Sequence, residues 1–226
     1  MTYPMEHLKL TNDQEVQLER FVDFMLAFNA HTNLTSITEP TDIVIKHIED
    51  SLALYHHVQW RGQSVLDVGT GAGFPGIVLL IMDPTIQLTL LEATTKKAVF
   101  LQAALDHLGL QARVVNERAE TWISSHRESF DIVTARAVAP LPVLVEWCVP
   151  YVKVGGSFIA MKGHVEEEVI QANAALRQTN AEIGQIVSYE LSQNKGSRTL
   201  VVIDKIKTTP SIYPRPNRLI QKEAIK

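Results

Sequence analysis

Residues Asp67–Gly76 read DVGTGAGFPG, a glycine spacing suited to a loop that cradles a ligand. Two frames fit. From Gly69 the pattern is G-T-G-A-G with an aspartate two positions earlier, as in many S-adenosylmethionine sites. From Gly71 it is G-A-G-F-P-G, a literal dinucleotide G-x-G-x-x-G. In both frames Gly69, Gly71 and Gly73 let the backbone turn and approach a ligand without Cβ clashes. The frames differ in what they ask of Asp67. In the Gly71 frame its carboxylate lies well inside a buried strand, a costly place for a charge. In the Gly69 frame it sits near the strand's carboxyl end and can accept a hydrogen bond from a ligand ammonium. The Gly69 frame is the better one, with a dinucleotide-dependent oxidoreductase as the rival.

Other residues with chemical potential lie further along the chain. Glu92 stands about twenty residues beyond the glycines, where an acid takes the ribose hydroxyls of an adenosine. Arg118-Ala119-Glu120 offers a small residue and a carboxylate near an adenine position; alternatively Glu120 simply starts a helix. Arg136 follows a strand end, and its planar fork can clamp a carboxylate, a phosphate or the O6/N7 edge of a guanine. The alternative is an ion pair with Asp131. Lys162, in AMKG, is placed similarly. The stretch TARAVAPLP (134–142) is not the N/D-P-P-Y loop of exocyclic-amine methylation, and Cys148, in EWCVPYV, reads as packed rather than nucleophilic. His47, His56 and His57 lack metal-site spacing, so no metal is expected. Guanine N7 carries an in-plane lone pair, so its methylation needs orientation rather than a general base. One arginine without an acid–base pair suits that demand.

The elements that must position these residues are legible as well. Thr11 or Asn12, with Gln14 and Glu15, suggests a capping box, followed by Leu18, Phe21, Val22, Met25 and Phe28 on one helical face. Pro40 precedes a second helix with the stripe Val44, Ile48, Leu52, Tyr55. From Trp60 onward, strand-like runs at 64–68, 87–91, 112–115, 131–135 and 156–161 alternate with helical stretches starting near Pro75, Thr95, Glu120, Pro140 and Val165. That alternation predicts a mainly parallel α/β sheet. Runs at 182–191 and 198–205 are joined too closely for a crossover helix and predict an antiparallel hairpin. A parallel sheet ending in such a hairpin is the arrangement of class I methyltransferases. The expected organisation is a helical cap (1–60), a Rossmann-like core (61–207) and a basic tail (208–226).

The chain has 226 residues, and 46% hydrophobic content is enough for one substantial core. One cysteine excludes a disulfide framework and fits a reducing cytoplasm. No apolar run approaches a membrane span, so neither membrane insertion nor secretion is expected. Net charge is −4, yet from Lys195 to Lys226 basic residues outnumber the acids Asp204 and Glu223. A basic end on an acidic body marks either a polyanion contact or a solvated tail.

Together the motifs give a pattern that resembles the bacterial RsmG family, also called glucose-inhibited division protein B. The matching pieces are NLTSIT (33–38), His47–Ser51, DVGTGAGFPG (67–76), LLEATTKKAVFL (90–101), RAE (118–120), TARAVAPL (134–141), MKG (161–163) and RTLVVIDK (198–205). They stand in family order and span most of the chain. The resemblance implies a class I methyltransferase that moves a methyl group from S-adenosylmethionine to guanine N7 of 16S ribosomal RNA. Naked small-subunit RNA or the 30S particle would be its partner. It implies cofactor contacts at Gly69, Phe74, Ala119, Glu120 and Arg136. His47, Asp50 and Ser51 match a cap motif near the site mouth, as substrate contacts or as a packing network between cap and core. Lys96, Lys97 and the Lys195–Arg198 loop are candidate RNA-backbone contacts. The tail keeps the family's Tyr213-Pro214-Arg215 but not its usual continuation.

Overall fold

A computed structural model describes residues 3–222 and 225; Glu223 and Lys226 of the basic end lie outside the described residues. Helix α1 (Asn12–Thr32) starts on the expected capping box. Thr11 Oγ1 accepts the Gln14 N–H at 3.3 Å, and Gln14 Oε1 accepts the Thr11 N–H at 3.0 Å. Leu18, Phe21, Val22 and Met25 are buried, and Phe28 packs beside them.

The second helical stretch departs from the expectation of one regular helix after Pro40. Helix α2 (Pro40–Ile43) runs into a π-helical segment, Val44–Glu49, and then into α3 (Asp50–His57). A π turn holds an extra residue and rotates the helix beyond it. Val44, Ile48 and Leu52 nonetheless stay buried. Apolar periodicity marks a buried face but does not reveal how the turns are wound.

Seven strands form one sheet: β1 (Ser64–Val68), β2 (Gln87–Leu91), β3 (Arg113–Val115), β4 (Phe130–Arg136), β5 (Val152–Lys162), β6 (Ala181–Glu190) and β7 (Ser197–Lys205). Their order is β3-β2-β1-β4-β5-β7-β6. The first five are parallel, β7 runs antiparallel to β5, and β6 and β7 form the expected hairpin. Helices α4 (Gly76–Met82), α5 (Thr95–Leu108), α6 (Ala119–Trp122), α7 (Leu141–Cys148) and α8 (Glu166–Thr179) connect them, and α9 (Asn217–Lys222) closes the chain. Alternate strand residues point to opposite faces. Val65, Leu88 and Ile132 face a cluster with α1, α4 and α5, while Leu66, Leu91 and Val133 face one with α7 and α8. Strand β5 begins earlier than the GSFIAM run suggested. Its register against β4 slips between Phe130 and Ile132, so that Val152 still pairs with Phe130.

The tail rests on the second cluster. Arg215 grips the buried Glu146 through Nη2–Oε2 and Nε–Oε1 contacts of 2.7 and 2.8 Å, and Arg127 donates to the Tyr213 carbonyl at 2.6 Å. Ile220 is buried in the same cluster.

Candidate active site

Because β1 ends at Val68, Asp67 is its penultimate residue. The carboxylate, expected at the crevice beside a ligand ammonium, is instead fully buried under the loop, with Oδ2 accepting the Gly76 N–H at 2.9 Å. Gly76 opens α4, and a Cβ there would lie 2.8 Å from that oxygen and 2.5 Å from Leu90 Cδ2. Only glycine lets the helix start close on the aspartate. Burial raises the Asp67 carboxyl to about 6, against the pull of Thr70, Gly76 and Arg136. The Thr70 hydroxyl sits beside it but off full hydrogen-bond geometry, so Asp67 Oδ1 and Thr70 Oγ1 both stay unpaired.

Gly69, Gly71 and Gly73 have φ of 67°, 61° and 89°, a region that L side chains rarely adopt. At Gly69 the constraint is also spatial, since an added Cβ would meet Val138 Cγ2 at 2.7 Å. Glu92 braces the loop: Oε2 accepts the Gly71 N–H at 3.0 Å and Oε1 the Thr94 N–H at 2.8 Å. A carboxylate has about four lone-pair positions, so two remain for ribose hydroxyls.

Between the ends of β1, β2 and β3 and the α6 start lies a cleft of about 130 Å³. Val68, Leu91, Ala119, Val138 and Trp147 supply apolar walls, with Glu117 and Glu120 at the side. Flat apolar walls, flanking carboxylates and a glycine loop at one end match an adenosine with a charged amino-acid tail. The buried Trp147 indole N–H has no acceptor, a further unsatisfied donor by the cleft. These residues fit S-adenosylmethionine.

On the other side of the Arg136–Ala139 segment lies a second cavity of about 360 Å³, lined by Ile37, Lys46, His47, Asp50, Arg136, Ala137, Met161, Lys162, Gly163 and Arg198. The segment is a partition: Val138 faces the cleft, whereas Arg136 and Ala137 face the cavity. Ala137 has a φ of 55°. Lys162 holds the segment from beyond, donating to the Ala139 carbonyl at 3.0 Å and pairing with Glu168 at 2.8 Å.

Arg136 is fixed by the cap. Its partner is Asp50, at 2.9 Å, and not Asp131, which pairs with Lys153. The same Nη1 donates to the Lys46 carbonyl at 3.0 Å, and Nη2 meets His47 Nδ1 at 3.1 Å. A guanidinium only donates, so Nδ1 is the acceptor and the His47 proton sits on Nε2, directed at Thr35 Oγ1 3.3 Å away. Burial, reinforced by Arg136, pushes His47 down to about 3, so the ring is neutral at pH 7. It stacks on Phe74 at 4.6 Å, and the Arg136 guanidinium lies 5.5 Å from the same ring. Ser51 turns away from the cavity and donates to the His47 carbonyl at 2.6 Å, clasping the π turn.

The remaining expected residues divide. Arg198 lines the cavity, with Nε 3.9 Å from Asp50. Lys195 pairs with Asp42 at 2.9 Å, joining the hairpin loop to the cap. Lys96 is exposed and Lys97 half-buried at the start of α5, away from both the cleft and cavity linings. Sequence signals did not single out Lys46, Val138, Trp147 or Tyr189. Lys46 enters through the π turn, which leaves no sequence signal, and Tyr189 through a hairpin-to-cap contact spanning most of the chain. Among the described residues no group of His, Cys, Asp or Glu could hold a metal ion, and no helix is long and apolar enough to cross a membrane.

Comparisons with known proteins agree with this geometry. The family described as "GidB: rRNA small subunit methyltransferase G" matches residues 14–200. Ribosomal RNA small subunit methyltransferase G of Desulfitobacterium hafniense is 41% identical, covering 92% of this chain and 88% of its own. The protein of that name from Caldanaerobacter subterraneus is 44% identical, covering 90% and 87%. In fold, the chain is similar to a SAM-dependent methyltransferase from Aquifex aeolicus (TM-score 0.56, 17% identity, 76% and 96% coverage). It is also similar to the T. thermophilus 16S rRNA N2 G1207 methyltransferase solved with AdoMet and guanosine (TM-score 0.50, 18% identity, 74% and 41% coverage). With a sheet of methyltransferase order, a glycine loop fitted to S-adenosylmethionine and relatives matched over most of their length, the chain belongs to the rRNA small subunit methyltransferase G family of S-adenosylmethionine-dependent methyltransferases.

Proposed function

We propose that the protein methylates N7 of a guanine in 16S ribosomal RNA, with the target base in the 360 Å³ cavity and the adenosine of the cofactor in the cleft, so that the methyl donor reaches the base around the edge of the Arg136–Ala139 segment. One observation carries this reading: a cleft fitted to an adenosine and a basic-rimmed cavity share that single partition at the strand ends. Lys46, Arg136, Lys162 and Arg198 line the cavity, the charge pattern that an RNA nucleotide demands.

When bound, S-adenosylmethionine supplies an electrophilic methyl group. The chain's own residues orient the acceptor. The site residues on the cofactor side are Asp67, which acts from beneath the loop, and Gly69, Gly71, Gly73, Phe74, Glu92, Ala119 and Glu120; Arg136, expected there from the sequence, lines the acceptor cavity instead. Arg136 can donate to guanine O6 but must leave N7 clear, because N7 has to face the methyl donor. Phe74 is buried and stacked on His47, with the Arg136 guanidinium over its ring. Neutral His47 has both nitrogens engaged, which suits a reaction in which no proton needs abstracting. The transfer is in-line and passes through no covalent enzyme intermediate; the Cys148 thiol is buried and pushed up by burial, unsuited to attack. Arg198 is the proposed contact for RNA phosphates, and Lys162, held by the Ala139 carbonyl and Glu168, adds positive charge to the cavity wall. Lys96 and Lys97 are further out, and Lys195 contributes as part of the hairpin rim. The substrate is naked small-subunit RNA or the 30S subunit, and the setting is the cytoplasm.

The direct test incubates the full chain with 30S subunits or 16S RNA and labelled S-adenosylmethionine, then maps the modified base. Label at one guanine N7 is the expected result. Label on an exocyclic nitrogen, a ribose or a protein would overturn the reading.

A further inference from the structure

One carboxylate sits where three distant parts of the chain meet. Asp50, on α3, is 3% exposed. Its Oδ2 accepts from Arg136 at the end of β4, and its Oδ1 accepts from the Tyr189 hydroxyl of β6 at 2.7 Å. Tyr189 stands opposite Arg198 in the β6–β7 register, and Arg198 reaches toward the same oxygen. The hairpin is clasped to the cap around this point. Ser192 donates through N and Oγ to Glu49 Oε1 at 2.8 and 3.0 Å, and Lys195 pairs with Asp42.

We infer that Tyr189 and Asp50 are positioning residues: the hairpin hydroxyl fixes the carboxylate, which fixes the Arg136 guanidinium over Phe74 at the partition. The proposal rests on the reading of Arg136 as the group that orients the acceptor base.

The physical case has three parts. A buried carboxylate with a single cationic partner keeps rotational freedom about χ2. Tyr189 restricts it by donating to the second oxygen, from which Arg198 Nε stands 3.9 Å away. Second, a guanidinium held by charge-assisted bonds to a fixed acceptor has a defined plane, and effective alignment of a reacting base tolerates little more than about 0.5 Å of error. Third, the remaining Arg136 contacts, to the Lys46 carbonyl and His47 Nδ1, come from the π turn just before Asp50. The π winding thus presents three acceptors to one guanidinium, and Tyr189 locks the charged one. Burial and the neighbouring Asp50 push the Tyr189 hydroxyl well above the usual tyrosine range, so it remains a donor at every working pH.

Tyr189→Phe deletes the hydroxyl and keeps the ring. Single-turnover methyl transfer is measured for the wild type, Tyr189→Phe, Arg136→Lys and the double variant, with S-adenosylmethionine affinity by calorimetry and thermal unfolding alongside. Tyr189→Phe is expected to slow the single-turnover rate roughly three- to tenfold at saturating RNA, with cofactor affinity changed less than about twofold. In the Arg136→Lys background the same substitution is expected to have no further effect, because it acts through the missing fork. Asp50→Asn should resemble Arg136→Lys, and the amide should retain more rate than Asp50→Ala. An undiminished rate in Tyr189→Phe, or an equal loss from it in both backgrounds, would overturn the inference. An Arg136→Lys variant with full rate would instead refute the underlying reading of Arg136.

Discussion

The cleft proposed for the cofactor and the cavity proposed for the acceptor base lie on two sides of one four-residue segment, yet they are built in opposite ways. The cleft is assembled from successive βα units, with its lining running from Val68 to Trp147. Apart from Trp147 of α7, each contribution is a short motif following a strand, and the loop's own hydrogen bonds to Asp67 and Glu92 hold it. The cavity is assembled from the cap, the end of β4 and the terminal hairpin, with its lining running from Ile37 to Arg198. Its residues are held by one another: Arg136 by Asp50, Asp50 by Tyr189, the hairpin by Glu49 and Asp42. The cleft lining contains no residue of the cap, although its loop packs on Phe21 and His47 through Phe74, whereas the cavity depends directly on cap and hairpin staying docked.

The largest expected effect comes from Arg136→Ala. It leaves the buried Asp50 with only the more distant Arg198, at 3.9 Å, as a cationic partner, a loss of up to about 3 kcal/mol. Chemical denaturation should register it, while Arg136→Lys should lose far less. If the alanine variant is as stable as the wild type, the cap is not held as described.

A second expectation separates the regions by pH. The unfolded chain protonates His47 below pH 6.5, whereas folded His47 resists until about 3. The unfolded state thus binds the extra proton, and stability falls as pH drops from about 6.5 toward 3, at up to about 1.4 kcal/mol per pH unit from this group. The cleft's Asp67 has the opposite sign. Its folded value is raised to about 6, so its contribution is fully present below pH 3.8 and is lost as pH rises through 6. Denaturation at several pH values should show His47→Gln flattening the acid-side slope and Asp67→Asn removing the opposing one. Unchanged slopes would contradict both assignments.

Gly69→Ala tests the cleft alone. A side chain at φ 67° is strained by about 1–2 kcal/mol and also meets Val138. Calorimetry should show S-adenosylmethionine affinity lowered about tenfold or more, with the RNA affinity of the cavity unaffected. A variant that binds the cofactor normally would show that Val138 yields without consequence. The smallest effect belongs to Lys195→Glu, because the Lys195–Asp42 pair lies at the surface, where solvent screening leaves an ion pair little net stabilisation. It should weaken RNA binding in a filter assay and leave cofactor affinity alone; unaltered RNA binding would remove the hairpin tip from the interface.

The same contrast explains what the sequence disclosed. Strand runs, glycine spacing and the hairpin gap are local signals, and they located all seven strands and the parallel sheet with its terminal hairpin, although Asp67 is buried under the loop rather than open to the crevice as expected. The frame rests on Asp67 lying next to the end of β1 and on Gly76 closing on it. Sequence alone offered Asp131 as the alternative partner for Arg136, but the partner is Asp50, 86 positions away. No local pattern encodes that pairing. Nor does periodicity distinguish a π turn from an α turn when both bury Val44, Ile48 and Leu52, so the rotation that presents Lys46, His47 and Asp50 to the guanidinium was invisible. Tyr189 read as a strand residue, and only the docking of hairpin on cap gives it a role.

The central claim is that a methyl group passes from S-adenosylmethionine to a guanine N7 of small-subunit ribosomal RNA beside the Arg136–Ala139 segment. Its most direct test maps N7-methylguanosine in 16S RNA from cells lacking the gene, from the parent, and from the deletion carrying Arg136→Ala. The account predicts one N7-methylguanosine present in the parent and absent from both other strains. N7-methylguanosine unchanged at every position in the deletion would contradict it.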